Sequence, residues 1–131
     1  MNNRILVIED DPSTLWLLQY TLEREGYQVL TASNGLEGLR KAQNEEPDLV
    51  VLDLMLPGID GFEICRCLRA EPQTAELPIF ILSAVVREMD SATRLKVGAD
   101  DYICKPWRRL ELVTKIATML ERKSTVLSSK L

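Results

Sequence analysis

One short run constrains the fold of this chain more than any other: Leu49-Val50-Val51-Leu52, preceded by Asp48, ended by Asp53 and followed by a break at Pro57-Gly58. A continuous apolar run of this length, bounded by turn residues, is predicted to be a strand buried on both faces. Burial on both faces requires helices above and below, and so points to a parallel sheet in an α/β protein. Asp53 then falls at or near the carboxyl end of the strand, the edge at which open α/β sheets bind ligands. Taken alone, an aspartate there is equally a cap for the following turn, and the other strand ends must decide.

Four more runs of the same kind occur, each followed or preceded by a helical pattern. Ile5-Leu6-Val7-Ile8 ends in Glu9-Asp10-Asp11. Asp11 is the expected N-cap of a first helix, with Pro12 at its first position, Leu15, Leu18 and Leu22 on its inner face and Gly26 at its end. Trp16 and Tyr20 fall off that stripe. A second strand is predicted over residues 27–31, a turn at Asn34-Gly35, and a helix over 36–44 with Leu36, Leu39 and Ala42 or Gln43 inward, stopped by Pro47. Asp60 is the expected cap of a third helix reaching about Ala70. Residues 77–82 form the fourth strand pattern, ending in Ser83-Ala84, and a helix is predicted from about Glu88 to Val97, closed by Gly98. A fifth strand pattern, 101–104, ends in Lys105-Pro106. The last predicted helix covers 108–122 with Leu110, Leu112 or Val113, Ile116, Ala117 and Leu120 inward; 123–131 is polar and reads as a tail or the start of a linker. Five strands alternating with five helices imply parallel strands, right-handed crossovers and helices on both faces of the sheet.

In such a sheet the carboxyl ends share one edge, so Glu9, Asp10, Asp53, Ser83 and Lys105 are expected to meet in one crevice. Carboxylates about 4 Å apart repel by several kcal/mol at an effective dielectric near 20. A hard divalent cation relieves that repulsion, and oxygen ligands without histidine or cysteine favour Mg²⁺ or a similar ion. Lysine and serine across the site are donors suited to a phosphoryl group. A carboxylate nucleophile, a metal, a lysine and a hydroxyl together describe phosphoryl transfer onto Asp53.

Composition narrows the alternatives. A chain of 131 residues, 46% hydrophobic, is sized for one domain with a full core. It contains no histidine, which removes Ser-His-Asp and Cys-His catalysis, histidine-ligated zinc and a phosphohistidine donor within the chain. A net charge of -4 argues against direct nucleic-acid binding. Cys65, Cys67 and Cys104 form no Cys-x-x-Cys motif and read as small hydrophobes in a reducing compartment. No run approaches the roughly 20 apolar residues of a membrane span. Met1-Asn2-Asn3-Arg4 leads straight into a strand pattern, so no membrane association and a cytoplasmic location are expected.

Ile8-Glu9-Asp10-Asp11, the stretch Leu52-Asp53-Leu54-Met55-Leu56-Pro57-Gly58-Ile59-Asp60-Gly61, Leu82-Ser83-Ala84, and Gly98 through Pro106 resemble the receiver domain of two-component response regulators. The resemblance covers about residues 4–122, with a receiver domain expected over 1–122. It implies a flavodoxin-like, doubly wound sheet with strand order 2-1-3-4-5. It implies that Asp53 is the phosphoacceptor and that Asp10, Asp53 and the Met55 carbonyl bind Mg²⁺, with Glu9 acting through water. Which two of Glu9, Asp10 and Asp11 form the acidic pair is open, with Glu9 and Asp10 favoured because Asp11 fits as the helix cap. Lys105 would contact the phosphoryl group across a cis bond to Pro106, Ser83 would reorient toward it, and Tyr102 would swing inward. The donor implied is a histidine kinase or a histidine phosphotransfer protein, with an effector the sequence does not name.

Some positions depart from the family pattern. Met55 and Val85 are apolar where the family's residues bear on water access, which predicts slow self-dephosphorylation. Trp107 stands in place of the usual phenylalanine. Ser91 replaces a basic residue of the dimerising branch, although Glu111 and Lys115 remain, so a monomer or a weak dimer through the fourth and fifth helices is expected. Two other readings compete. A scaffold that is never phosphorylated has no need of the full acid set, Asp53 and Lys105. A Mg²⁺-dependent phosphohydrolase usually has a second acid two residues after its nucleophile, where this chain has Met55. Apart from its own phosphoryl transfer and hydrolysis, no turnover is expected.

Overall fold

The structure, a computed structural model, describes residues 3–130 and the side chains of residues 3–123. The expectations for Met1, Asn2 and Leu131 lie outside the described residues, as does the polar character of the side chains from 124 onward.

Five strands, β1 (Arg4–Ile8), β2 (Gln28–Ala32), β3 (Leu49–Leu52), β4 (Ile79–Ser83) and β5 (Asp101–Cys104), pair in parallel in the order β2-β1-β3-β4-β5. Five helices connect or follow them: α1 (Pro12–Arg24), α2 (Gly35–Asn44), α3 (Gly61–Ala70), α4 (Ser91–Val97) and α5 (Arg109–Lys130). This is the doubly wound, flavodoxin-like α/β fold that the alternating pattern and the resemblance imply.

Both faces of the central strands are buried, which is why they read as unbroken apolar runs. Ile5, Val7, Leu49, Val51, Phe80 and Leu82 face α1 and α5, meeting Leu18, Leu22, Leu112 and Ile116. The alternate residues Leu6, Ile8, Val50, Leu52, Ile79 and Ile81 face α2 and α3, meeting Ala42, Ile64, Cys65 and Leu68. Burying one such side chain fully contributes about 1.5–3 kcal/mol.

The helix starts follow local chemistry. Asp11, Asn34, Asp60 and Asp90 each accept the backbone N–H three residues on, satisfying a donor that the helix itself leaves unpaired. Gly98 closes α4 at φ +77°, a left-handed conformation that favours glycine.

Four expectations need correction. Leu36 is exposed instead of inward; α2 turns Gly35, Gly38 and Ala42 to the core. Leu110 is exposed as well, in the first turn of α5, and the inner face is Leu112, Ile116, Met119 and Leu120. The helix predicted from Glu88 is two pieces: a 3-10 turn over Ala84–Glu88, extended backbone at Met89 and Asp90, then α4. The Asp90 carboxylate draws in Thr93 N–H and fixes the break. The last helix continues through 123–130 instead of stopping at Arg122.

Candidate functional site

The register of the sheet brings the predicted residues together. Ile8 pairs with Leu52, so Glu9 and Asp53 leave neighbouring strands side by side, and Asp53 N–H donates to the Ile8 carbonyl at 3.2 Å. Ser83 closes β4 beside Cys104, and Lys105 N–H donates to the Ser83 carbonyl at 3.2 Å. The Lys105-Pro106 bond is cis, as the resemblance implies.

Glu9, Asp10 and Asp53 each offer a carboxylate oxygen, and these atoms lie within 4.8 Å of one another. Glu9 and Asp53 are buried, while Asp10 is exposed. Asp11 does not join them. Its carboxylate accepts Thr14 N–H at 3.0 Å and the Thr14 hydroxyl at 2.6 Å, so it is the cap of α1. Those bonds hold its carboxyl below the usual aspartate range. The Asp11 carboxylate is thus engaged as the helix cap, while those of Glu9 and Asp10 lie toward Asp53.

Lys105 bridges the two buried acids, donating to Glu9 Oε1 at 2.5 Å and to Asp53 Oδ2 at 2.7 Å. Burial alone would pull the lysine down, but its bonds to Asp53 and Glu9 outweigh it and leave the ammonium harder to deprotonate than usual. For Glu9 burial wins: its carboxyl is raised despite the bonds from Lys105 and from Asp11 N–H. Three carboxylates against one ammonium leave two negative charges, which a hard divalent cation matches. The donor set therefore fits the ion that the sequence implied.

The hydroxyl of Ser83 is fully buried and has no hydrogen-bond partner. Leaving such a group unpaired costs about 1–3 kcal/mol. Met55 N–H donates to Asp53 Oδ1 at 2.9 Å, which orients the carboxylate, and the Met55 side chain is exposed. Tyr102 is half-buried, with its hydroxyl donating to the Arg94 carbonyl at 2.7 Å. Trp107 packs at the edge of the core beneath α1 and α5.

The sequence reading quoted Gly61 in the stretch around Asp53 but gave it no role. A Cβ there would lie 2.5 Å from the Asp53 carbonyl oxygen and 2.5 Å from Leu54 Cα, so only glycine lets α3 seat against the Asp53 loop. Its signal was present as the residue after the Asp60 cap.

A family model described as the response regulator receiver domain matches residues 5–117, which is most of the chain. This chain belongs to the response regulator receiver family. The receiver domain is 48% identical over 122 residues to the alkaline phosphatase synthesis transcriptional regulatory protein PhoP of Bacillus subtilis, covering 93% of this chain and 50% of that protein. It is 44% identical over 129 residues to the phosphate regulon transcriptional regulatory protein PhoB of Rhizobium meliloti, covering 98% and 57%. The receiver therefore spans about half the length of these relatives. Among solved structures it resembles a CheY-like receiver from Methanospirillum hungatei, with TM-score 0.87, 30% identity, and 95% and 98% of the two chains covered. It also resembles the receiver domain of sensor histidine kinase PA1611 from Pseudomonas aeruginosa, a structure with magnesium coordinated in its active-site cleft. There the TM-score is 0.85 and the identity 29%, with 92% and 99% covered. A receiver of this family is a phosphoacceptor. Among the described residues, no helix is long and apolar enough to cross a membrane.

Proposed function

We propose that Asp53 of this receiver accepts a phosphoryl group from a phosphohistidine on a histidine kinase or histidine phosphotransfer protein. An Asp53 carboxylate oxygen attacks phosphorus, the P–N bond breaks, and the imidazole nitrogen leaves with the bonding electron pair. Asp10, Asp53 and the Met55 carbonyl would hold Mg²⁺ directly, with Glu9 acting through water, and the bound ion would supply charge neutralisation at the transferring group. Lys105 is the residue that contacts a phosphoryl oxygen once Asp53 carries the acyl phosphate, because its ammonium already lies on that carboxylate. Ser83 and Tyr102 form the switch, Ser83 turning its hydroxyl to the phosphoryl group and Tyr102 moving inward behind it.

The observation that carries this reading is the buried, partnerless Ser83 hydroxyl beside the Lys105–Asp53 pair. A phosphoryl oxygen supplies the missing acceptor, so the phosphorylated form gains an interaction that the resting form lacks. That difference is what a switch requires, since a ligand shifts an equilibrium only by its differential affinity. A scaffold with no phosphorylation would keep the cost of the orphan hydroxyl with no return.

The switch unit is assigned to residues 1–122, with a protein-facing output in keeping with its net charge of -4. A cytoplasmic location and a monomer or weak dimer through α4 and α5 belong to the same proposal. Met55 and Val85, two residues after Asp53 and Ser83, are apolar, so self-dephosphorylation is slow; a lifetime of seconds would overturn that point.

Intact mass after incubation with acetyl phosphate and Mg²⁺ tests the assignment. One added phosphoryl group is expected, lost in Asp53→Asn and in a metal-free sample. An unchanged gain in Asp53→Asn would sink it.

A further inference from the structure

Arg94 lies one helix away from Ser83, yet it touches both halves of the proposed switch. Its Nη2 donates to the Val86 carbonyl at 3.1 Å, inside the 3-10 turn that follows Ser83. Its guanidinium carbon stands 5.4 Å from the centre of the Tyr102 ring. Its own carbonyl accepts the Tyr102 hydroxyl at 2.7 Å and also the Gly98 N–H that closes α4. One residue therefore holds the turn, the face of the ring and the hydroxyl.

These contacts cannot all survive a change of state. If Tyr102 moves inward, its hydroxyl leaves the Arg94 carbonyl and its ring leaves the guanidinium. If the 3-10 turn shifts with Ser83, the Val86 carbonyl moves from the Arg94 fork. A charged group over an aromatic face and a hydrogen bond to a carbonyl both favour the arrangement that keeps them. The Tyr102 hydroxyl also meets the Ala99 backbone and its ring rests against the core, but the cation over its face is Arg94.

We infer that Arg94 is a positioning residue that latches the receiver in its resting state by clamping Tyr102 outward and tying it to the turn after Ser83. This inference rests on the proposed roles of Asp53, Ser83 and Tyr102. It adds to them a residue on α4, outside the site, that sets how far the equilibrium lies toward rest before any phosphoryl group arrives. Arginine suits the task better than lysine, because its planar fork stacks on the ring and reaches the carbonyl at the same time.

Fluorotyrosine labelling tests the latch. The chain has three tyrosines, Tyr20, Tyr27 and Tyr102, so three ¹⁹F resonances are expected, and Tyr102→Phe assigns the third. In the unmodified receiver, acetyl phosphate with Mg²⁺ should move the Tyr102 resonance and so mark the inward state. Arg94→Ala without a phosphodonor should already show the Tyr102 signal displaced toward that position, with the inward population raised at least about fivefold. Arg94→Lys should fall between the two, which a general loss of helix stability would not reproduce, since lysine forms helices as well as arginine does. A resting Tyr102 resonance in Arg94→Ala that superimposes on the parent, in a receiver that responds to acetyl phosphate, would overturn the latch alone. Should the parent not respond to acetyl phosphate at all, the phosphoacceptor reading would fall and the latch with it.

Discussion

Ser83 and Cys65 are both fully buried, and their surroundings prepare them for opposite fates. Ser83 sits at a strand end with a hydroxyl awaiting an acceptor, which is why an ordinary turn residue becomes a candidate switch. Cys65 sits on the inner face of α3 among Ile64, Leu68 and the sheet, and burial pushes its thiol up to about 12 from 9.0. Its sulfur is therefore inert where Cys67 and Cys104 are half-exposed. Iodoacetamide at pH 8 should modify Cys67 and Cys104 in the folded protein and reach Cys65 only after unfolding, as peptide mapping would show. The same shift carries a stability signature. Below pH 9 the thiol is neutral in both states and Cys65 contributes fully. Between pH 9 and about 12 only the unfolded chain ionises, so stability falls as pH rises through that window. The ceiling is about 4 kcal/mol from three pKa units. Urea melts of the parent and Cys65→Ala should show a steeper alkaline loss in the parent; equal slopes would refute the assignment.

At the scale of elements, α2 shows what an apolar pattern conceals. Its inner face is Gly35, Gly38 and Ala42, none of which carries a strong hydrophobic signal, so the leucines drew the reading to Leu36. Close approach explains the choice. A Cβ on Gly38 would stand 2.5 Å from Ile8 Cδ1, and one on Gly35 would stand 2.2 Å from the Ile59 carbonyl oxygen. Alanine in a helix ordinarily gains about 1 kcal/mol over glycine. Overpacking costs about 1–3 kcal/mol, and more when the neighbour is backbone that cannot turn aside. Gly35→Ala should therefore destabilise most, Gly38→Ala less, and Leu36→Ala by under about 0.5 kcal/mol, all read from urea midpoints. A stabilised Gly35→Ala would contradict the packing. The central strands β1, β3 and β4 were legible because burial on both faces leaves no polar interruption, and the caps were legible at Asp11, Asp60 and Gly98. The Ala84–Glu88 turn was not, because no glycine or proline marks the break between Glu88 and Ser91; its local signal is the Asp90 cap. Arg94 was invisible for a related reason: a lone arginine on a helix reads as a solvated charge until its partners are seen.

For the whole molecule, sequence supplied the strands and the edge on which Glu9, Asp53, Ser83 and Lys105 meet, but apolar runs carry no strand order; that came through the receiver resemblance. The order has a thermodynamic consequence. Placing β1 beside β3 brings carboxylate oxygens of Glu9, Asp10 and Asp53 within 4.8 Å of one another, with Lys105 the cation paired to them among the described residues. Each like-charge pair costs up to about 4 kcal/mol at 4 Å and an effective dielectric of 20, less where solvent screens Asp10. The fold therefore carries destabilisation concentrated at its site, as functional centres commonly do. Neutralising one acid should relieve it. Asp10→Asn is the cleanest choice, because Asp10 is exposed and takes no part in the Lys105 bridge. Without divalent ions, Asp10→Asn should melt about 4 °C above the parent for each kcal/mol relieved. Adding Mg²⁺ at about 100 times its dissociation constant should stabilise the parent by about 2.7 kcal/mol. The same addition should help Asp10→Asn much less, closing or reversing the gap, and chelation should restore it. Were Mg²⁺ to raise both melting temperatures equally, the ion would be acting elsewhere on the protein, and the carboxyl edge would not be its site.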